Sequence, residues 1–400
     1  MTTPVSPASA PASASAAPAP RCDRVTLVRS RDELAAALAV DEGADRADRA
    51  DSVGGADRVG GGDKTDRAGR VNGGDRADGA AKAGSAGAAR HAGGFAGAGA
   101  GGVPRAVVMT MGALHQGHFD LVSEAARRVG ADGTVVVTIF VNPLQFAAGE
   151  DLDAYPRTLE ADVEGLTAAL RAPGEDGLAV GRLIVFAPAP EVMYPNGEPS
   201  VRLDPGPIAT VLEGATRPTH FAGVLQVVLT LMHLTRPHWA LFGRKDAQQL
   251  ALVRAMVRDL AVPVEIVPVD IRRESDGLAM SSRNAYLNAR EREQALALSR
   301  ALAAGREAAR AGADAAGVRT AALEVLEKAP GVEVDYAAVV DPDSFVDLSG
   351  AGLGLPGGAV QSAGAVVPAE PSQPVGPVLL ALAARVGTTR LIDNALIDLR

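Results

Sequence analysis

Five short apolar runs punctuate the middle of this sequence: AVVM (106–109), TVVVTIFV (134–141), LIVFAP (183–188), WALFG (239–243) and VEIVPVDI (264–271). They are rich in β-branched residues, and the segments between them carry helical spacing instead. Leu121, Val122, Ala125 and Val129 recur on one helical face, and helical patterns also fill 158–170, 221–235 and 246–260. Strands without polar alternation are covered on both faces, and strands joined through helices pair in parallel. The pattern predicts an α/β fold with a Rossmann-like, doubly wound parallel sheet. Ahead of it, VTLVRSRDELAAALAV (25–40) reads as one more strand and helix.

Beyond MSSRNAYL the character changes to an alanine-rich helical pair (290–328), a strand-like VEVDYAAVV (332–340) and a terminal LLALAARVGTTRLIDNALI (379–397). A second, smaller α+β domain is expected there. Two interruptions break the pattern. The first, 41–102, is mostly Gly, Ala, Asp and Arg, and its only large apolar residues are Val53, Val59, Val71 and Phe95. So few cannot offset the entropy of ordering the segment, and disorder is expected. The second, 350–377, is rich in Gly, Ala and Pro and reads as a long loop. The Ala/Pro/Ser-rich residues 1–24 lack a charged segment followed by an apolar one, and read as a loose tail rather than a secretory signal.

The formal net charge of −9 argues against a protein that coats nucleic acid or an anionic membrane. One cysteine, Cys22, excludes an intrachain disulfide, which fits a reducing, cytoplasmic setting. No run reaches the roughly 18–20 apolar residues of a spanning helix.

Candidate chemistry gathers where strands end. MGALHQGH (111–118) leaves the first run and enters a helix, so Met111, Gly112, His115, Gly117 and His118 stand where backbone N–H groups and the helix dipole receive an anion. The glycines admit a phosphate, and the histidines add donors. Two histidines three apart also suit half a metal site, which no neighbouring Cys or carboxylate completes, or simple capping of the helix. FVNPLQF (140–146) brings Asn142 and Gln145 to the adjacent strand end as amide hydrogen-bonders, though Asn-Pro also serves as a turn. FGRKDAQQL (242–250) offers Gly243, Lys245, Asp246 and Gln249: lysine to meet phosphate charge, aspartate for a ribose hydroxyl or a helix cap. DGLAMSSRN (276–284) supplies Met280, Ser281, Ser282 and Arg283, suited to clamping phosphate oxygens. Arg217 and His220, in LEGATRPTHFAGV (212–224), stand before a long apolar helix.

In order, TMGALHQGH, IFVNPLQF, EDLDAYPR, FAPAPEVMYP, LEG, RPTHFAGV, FGRKDAQQL, VRDL, DGLAMSSRN and ARVGTTRLIDN resemble the pantothenate synthetases, or pantoate–beta-alanine ligases, over 103–347 and 378–397. The resemblance implies a nucleotidyltransferase-like fold and a cytoplasmic homodimer. It implies that ATP and pantoate form pantoyl adenylate and pyrophosphate, after which β-alanine takes the acyl group and AMP leaves. ATP would be a substrate accompanied by Mg²⁺, with no tightly bound cofactor and no protein metal site.

By the same resemblance ATP would meet Met111, Gly112, His115, His118, Gly243, Lys245, Asp246, Arg272 and Met280 to Arg283. His118, His115, Lys245 and Arg283 would be the catalytic set. Pantoate and β-alanine would meet Gln145, Asn142 and Gln249. Residues 25–271 would form the nucleotide- and pantoate-binding domain and 272–400 a lid. Departures from the family pattern stand at Met109, Gln116, Leu144, Arg244 and Arg272. Another nucleotidyltransferase would keep the histidines without needing Gln145 and Gln249, and a silent scaffold acting through 41–102 would need neither.

Overall fold

The computed structural model of the chain describes residues 25–41, 102–147, 152, 153, 155–171, 180–353 and 376–399. The expected tail (1–24), nearly all of 41–102 and most of 350–377 lie outside the described residues.

The apolar runs become a single six-stranded sheet: β1 (Val25–Val28), β2 (Arg105–Thr110), β3 (Thr134–Ile139), β4 (Arg182–Phe186), β5 (Trp239–Gly243) and β6 (Glu265–Val269). Their spatial order is β1-β4-β3-β2-β5-β6, and all pairs are parallel. Pro268, which has no N–H for a ladder, is accommodated because β6 is an edge strand.

The connecting helices are α1 (31–41), α2 (Gln116–Val129), α3 (Leu159–Arg171), the single turns α4 (Pro190–Met193) and α5 (Glu213–Thr216), α6 (His220–Thr235) and α7 (Ala247–Asp259). Strand alternation divides the core between two faces. Val107, Val136 and Ile184 pack with Leu34 and Leu38 of α1, Val228 and Met232 of α6, and Leu252 of α7. Ala106, Val108, Val135 and Val137 pack with Leu121, Val122 and Ala125 of α2 and with Leu166 of α3. Both faces are thereby covered, as the unbroken apolar runs require.

From β2 the chain builds outward through β3 and β4, and later returns to place β5 and β6 on the other side of β2. The reversal between β2 and β5 opens a crevice at their carboxyl ends, the usual ligand position of such sheets. At the opposite, amino ends lies a buried ion cluster. Asp41, at the end of α1, accepts from Arg105 Nη2 (2.8 Å), Arg182 Nη1 (2.6 Å) and Thr134 Oγ1 (3.1 Å).

The smaller domain contains α8 (Ala289–Arg310), α9 (Ala315–Glu327) and an antiparallel sheet β7-β8-β9 (Val332–Val340, Val378–Val386, Thr389–Ile397). Asn288 begins α8 with a reciprocal cap, accepting from Glu291 N and donating its own N–H to the Glu291 carboxylate, both at 2.9 Å. The terminal run 379–397 is therefore a hairpin. Its inner face packs on the helices through Leu298, Leu302, Val318, Leu380 and Leu382.

The two domains are pinned by Arg390 of β9, which donates from both Nη atoms to Glu213 (2.7 Å each) and from Nε to Asp335 (2.7 Å), while Tyr336 Oη–H donates to Glu213 (2.8 Å). Among the described residues no helix is long and apolar enough to cross a membrane.

Candidate functional site

The segment leaving β2 must turn sharply before α2 can start. Gly112 takes φ +91°, a left-handed conformation that glycine adopts without penalty, and Ala113 follows at φ +51°. The turn is held by Asp162 of α3, whose carboxylate accepts from Ala113 N (3.1 Å) and Leu114 N (2.8 Å). Asp162 occupies the apolar stripe of its helix with Leu159, Val163 and Leu166, and that misplaced acid is the sequence signal for a role not otherwise legible.

The turn delivers His115 as the N-cap of α2 and His118 one turn on, with ring centroids 4.1 Å apart. Gly117 seats the first ring: a Cβ there would stand 3.1 Å from His115 Cε1. Gly117, expected to admit a phosphate, also lines the cavity described below.

The backbone N–H of His115 donates to His118 Nδ1 (3.2 Å), so the neutral His118 ring carries its proton on Nε2. Burial, reinforced by charge on His115, pushes the His118 pKa down to about 3. His115 is lowered by burial first and by the charge of Lys245 second. Both rings are therefore neutral at pH 7. His115 Nδ1 is buried and has no hydrogen-bond partner among the described residues. The amino end of α2 carries no acidic side chain in its first turn.

At the end of β3, a 3₁₀ turn (Pro143–Gln145) is fixed by Asn142. Asn142 Oδ1 accepts from Leu144 N (3.3 Å) and Tyr194 Oη (2.8 Å), and its Nδ2 donates to Gly223 O (3.0 Å) and Gln145 Oε1 (3.2 Å). Burial holds the Tyr194 hydroxyl near pKa 12, so it remains a donor. With its Oε1 engaged, Gln145 turns Nε2 toward Met111 Sδ, at 2.9 Å. The Gln145 carbonyl accepts from Arg217 Nη2 (3.3 Å) and approaches His220 Nδ1 to 3.0 Å. Asn142 thus spends its amide on holding Gln145.

The third strand end supplies the turn Arg244–Asp246, followed by α7. Lys245 Nζ lies 4.0 Å from Asp246 Oδ1, and Asp246 stands at the N-cap of α7 without a side-chain capping bond. Arg244 pairs with Asp270 at 3.0 Å, and Arg272 with Asp120 of α2 at 3.5 Å. The segment 272–280 folds back on itself through Met280 N to Arg272 O (2.9 Å), which brings Ser281 to Arg283 across from α2. Ser281 Oγ accepts from Arg283 N at 3.3 Å.

These pieces enclose a cavity of about 260 Å³ lined by Met111, His115, His118, Asn142, Gln145, Gly243, Lys245, Asp246, Gln249, Arg272 and Met280 to Arg283. Of the residues expected at the site, Gly112 does not line it and acts through the turn. A second cavity, about 550 Å³, lies between the domains and shares Arg217, His220, Lys245, Asp246, Gln249, Ser281 and Arg283 with the first. Neutral ring N–H groups, a helix amino end and the cations Lys245, Arg272 and Arg283 suit a polyanion, while the Gln145 amide offers a donor to a hydroxyl or carboxylate. Among the described residues no group of three or more His, Cys, Asp or Glu is arranged to hold a metal ion.

Comparison with known proteins agrees with this chemistry. The family model described as pantoate-beta-alanine ligase matches residues 97–396. The pantothenate synthetase of Streptomyces avermitilis is 47% identical over 337 residues, 72% of this chain and 91% of that protein. That of Nocardia farcinica is 51% identical over 294 residues, covering 74% and 79%.

Among solved structures, a pantothenate synthetase from Thermus thermophilus superposes with a TM-score of 0.61 at 41% identity, over 73% of this chain and 92% of that one. A pantoate-beta-alanine ligase from Francisella tularensis, complexed with beta-gamma ATP and beta-alanine, does so at 0.52 and 28% identity, over 73% and 89%.

Proposed function

The chain belongs to the pantoate–beta-alanine ligase family, and from that premise we propose that it makes pantothenate from pantoate, β-alanine and ATP through a pantoyl adenylate, releasing pyrophosphate and AMP. The observation that carries the reading is the convergence of His115, His118, Lys245 and Gln145 on one cavity at the sheet's switch point.

A carboxylate is a poor acyl donor because oxide is its leaving group. A pantoate carboxylate oxygen attacks the α-phosphorus of ATP, the bond to the β-phosphate oxygen breaks, and pyrophosphate departs with the electron pair. The amine nitrogen of β-alanine then attacks the acyl carbon, the bond to AMP breaks, and the nitrogen gives up a proton. Both steps require positioning and stabilisation of phosphate charge rather than a protein nucleophile.

In this reading His115 and His118 donate to ATP phosphates as neutral rings, His118 through Nε2–H because its Nδ1 accepts from His115 N. Lys245 and Arg283 meet the charge that develops between the α- and β-phosphates. Met111, Gly243, Asp246, Arg272, Met280, Ser281 and Ser282 shape the nucleotide site, with Asp246 toward the ribose. Gln145 and Gln249 hold pantoate, and Asn142 positions Gln145. Magnesium enters with ATP as part of the substrate, held by phosphate oxygens and water.

Residues 272–400 act as a lid that shields the acyl adenylate from water, closing on 25–271. We place the enzyme in the cytoplasm as a homodimer.

The test is mass spectrometry of the protein with ATP, magnesium, pantoate and β-alanine, omitting each in turn. Pantothenate and AMP in the complete mixture only, with pyrophosphate still released when β-alanine is omitted, supports the adenylate route. A folded, ATP-binding protein that yields neither overturns the substrate assignment.

A further inference from the structure

The last strand of the chain reaches back to the turn that carries the phosphate-facing lysine. Asn394, in β9, is 7% exposed, and its Nδ2 donates to the carbonyl oxygens of Arg244 (3.0 Å) and Lys245 (2.8 Å). Two carbonyls only accept, so they fix the amide's orientation, and no other neutral side chain of this length offers two protons from one atom. The turn needs the support. Neither Gly243 before it nor Asp246, its last residue, contributes a side-chain capping bond.

The preceding residue, Asp393, is 3% exposed and accepts from Arg273 Nη1 (2.7 Å) and Nη2 (2.9 Å). Arg273 also donates to Gly277 O (3.1 Å), within the stretch that leads to Ser281 and Arg283. One dipeptide of β9 therefore holds both segments that face the cavity from beyond α2.

We propose that Asn394 is a positioning residue for adenylate formation: it fixes the backbone from which Lys245 reaches the phosphates, and the Asp393–Arg273 pair keeps that turn in register with Ser281 to Arg283. The inference rests on the ligase reading above. It acts through Lys245, which makes it separable from a general effect on folding.

The experiment is a double-mutant cycle of wild type, Asn394→Leu, Lys245→Ala and the double variant, reading pyrophosphate release, kcat, KM for ATP and pantoate, and melting temperature. Leucine keeps the volume and removes both donors. Since a displacement near 1 Å can cost 10²-fold, Asn394→Leu should lower kcat by about 10- to 100-fold with a smaller change in either KM. In the Lys245→Ala background the same substitution should cost less than about twofold, because the group it positions is gone.

Additive losses, or an unchanged kcat, overturn the proposal. If Asn394→Leu gives no folded protein by circular dichroism, Asn394→Ser goes through the same cycle under the same criteria. A wild type that releases no pyrophosphate overturns the ligase reading itself, whereas an active wild type with additive losses removes only the role of Asn394.

Discussion

Gly223→Ala places a methyl group where the helix α6 touches the turn that bears Gln145. A Cβ at residue 223 would lie 2.2 Å from Leu144 O, 2.4 Å from Leu144 C and 2.6 Å from Gln145 N, whereas real Cβ contacts essentially never fall under 3.0 Å. Local propensity favours alanine over glycine in a helix by about 1 kcal/mol, so the substitution is stabilising if only the helix matters. The clash is with backbone, which has no rotamer to change, and overpacking of that kind costs about 1–3 kcal/mol. Tertiary contact should win, lowering stability by up to about 2 kcal/mol net.

The functional consequence is larger. Relief requires the Pro143–Gln145 turn to retreat by about 0.8 Å, a displacement that can cost on the order of 10²-fold in turnover. The Asn142 bond to Gly223 O lies in the same contact, so the Gln145 amide loses its orientation along with its place. Steady-state kinetics with pantoate varied at saturating ATP should show kcat/KM reduced by about 10²-fold. Calorimetric titration should show a smaller loss toward ATP than toward pantoate, because the turn meets the nucleotide side through the contact of Gln145 Nε2 with Met111 Sδ at 2.9 Å. Unchanged pantoate kinetics, or an equal loss toward ATP, would refute the reasoning.

Three further outcomes follow from the same geometry. Gly243 has φ −72° and nothing within 4 Å of a Cβ, so Gly243→Ala should keep or raise the melting temperature while raising KM for ATP; a lowered melting temperature would mean the space is not kept for a ligand. His118 has a folded pKa of about 3 against an ordinary 6.5, so the unfolded chain takes up the proton first. The stability this contributes is complete above about pH 6.5 and is lost as pH falls toward 3, at up to about 1.4 kcal/mol per pH unit. Urea midpoints between pH 4 and 7 should fall less steeply for His118→Gln, and parallel curves would sink the assignment. Arg390→Ala strands Glu213, only 15% exposed, and should cost about 3–5 kcal/mol in denaturant titration; a loss under about 1 kcal/mol would show the pair to be solvated.

Periodicity carried most of the fold into view. The five unbroken runs became five of the six parallel strands because their residues are needed on both faces, with Val107 turned one way and Ala106 and Val108 the other. The strand-end motifs placed His115, His118, Gln145 and Lys245 around one cavity, since a parallel sheet gathers its carboxyl ends at one edge.

What stayed hidden was bonding between residues far apart in sequence. Nothing local marks Asn394 as the partner of a turn 149 residues earlier, or Arg390 as the partner of Glu213 at a separation of 177. Asn142 was legible as a polar strand-end residue but not as one whose amide is wholly spent on Tyr194, Gly223 and Gln145. Such roles depend on which donors face which acceptors after folding, and side-chain hydrogen bonding has no period.

The Asp41 cluster gives the sheet a working end and a growing end. Asp41 and Arg105 are bonded at 2.8 Å, so the two points where the 42–101 segment joins the described chain, 41 and 102, stand close together at the amino ends of the strands. The cavity lined by His115, His118 and Lys245 lies one strand length away, roughly 20 Å at the rise of a β-strand. An insertion at this joint therefore enters the fold beside the bonds of Asp41 to Arg105 and Arg182, at the end of the sheet remote from the cavity. A reporter domain or affinity handle spliced between 41 and 102 would enter beside the same two arginines, a strand length from His115, His118 and Lys245.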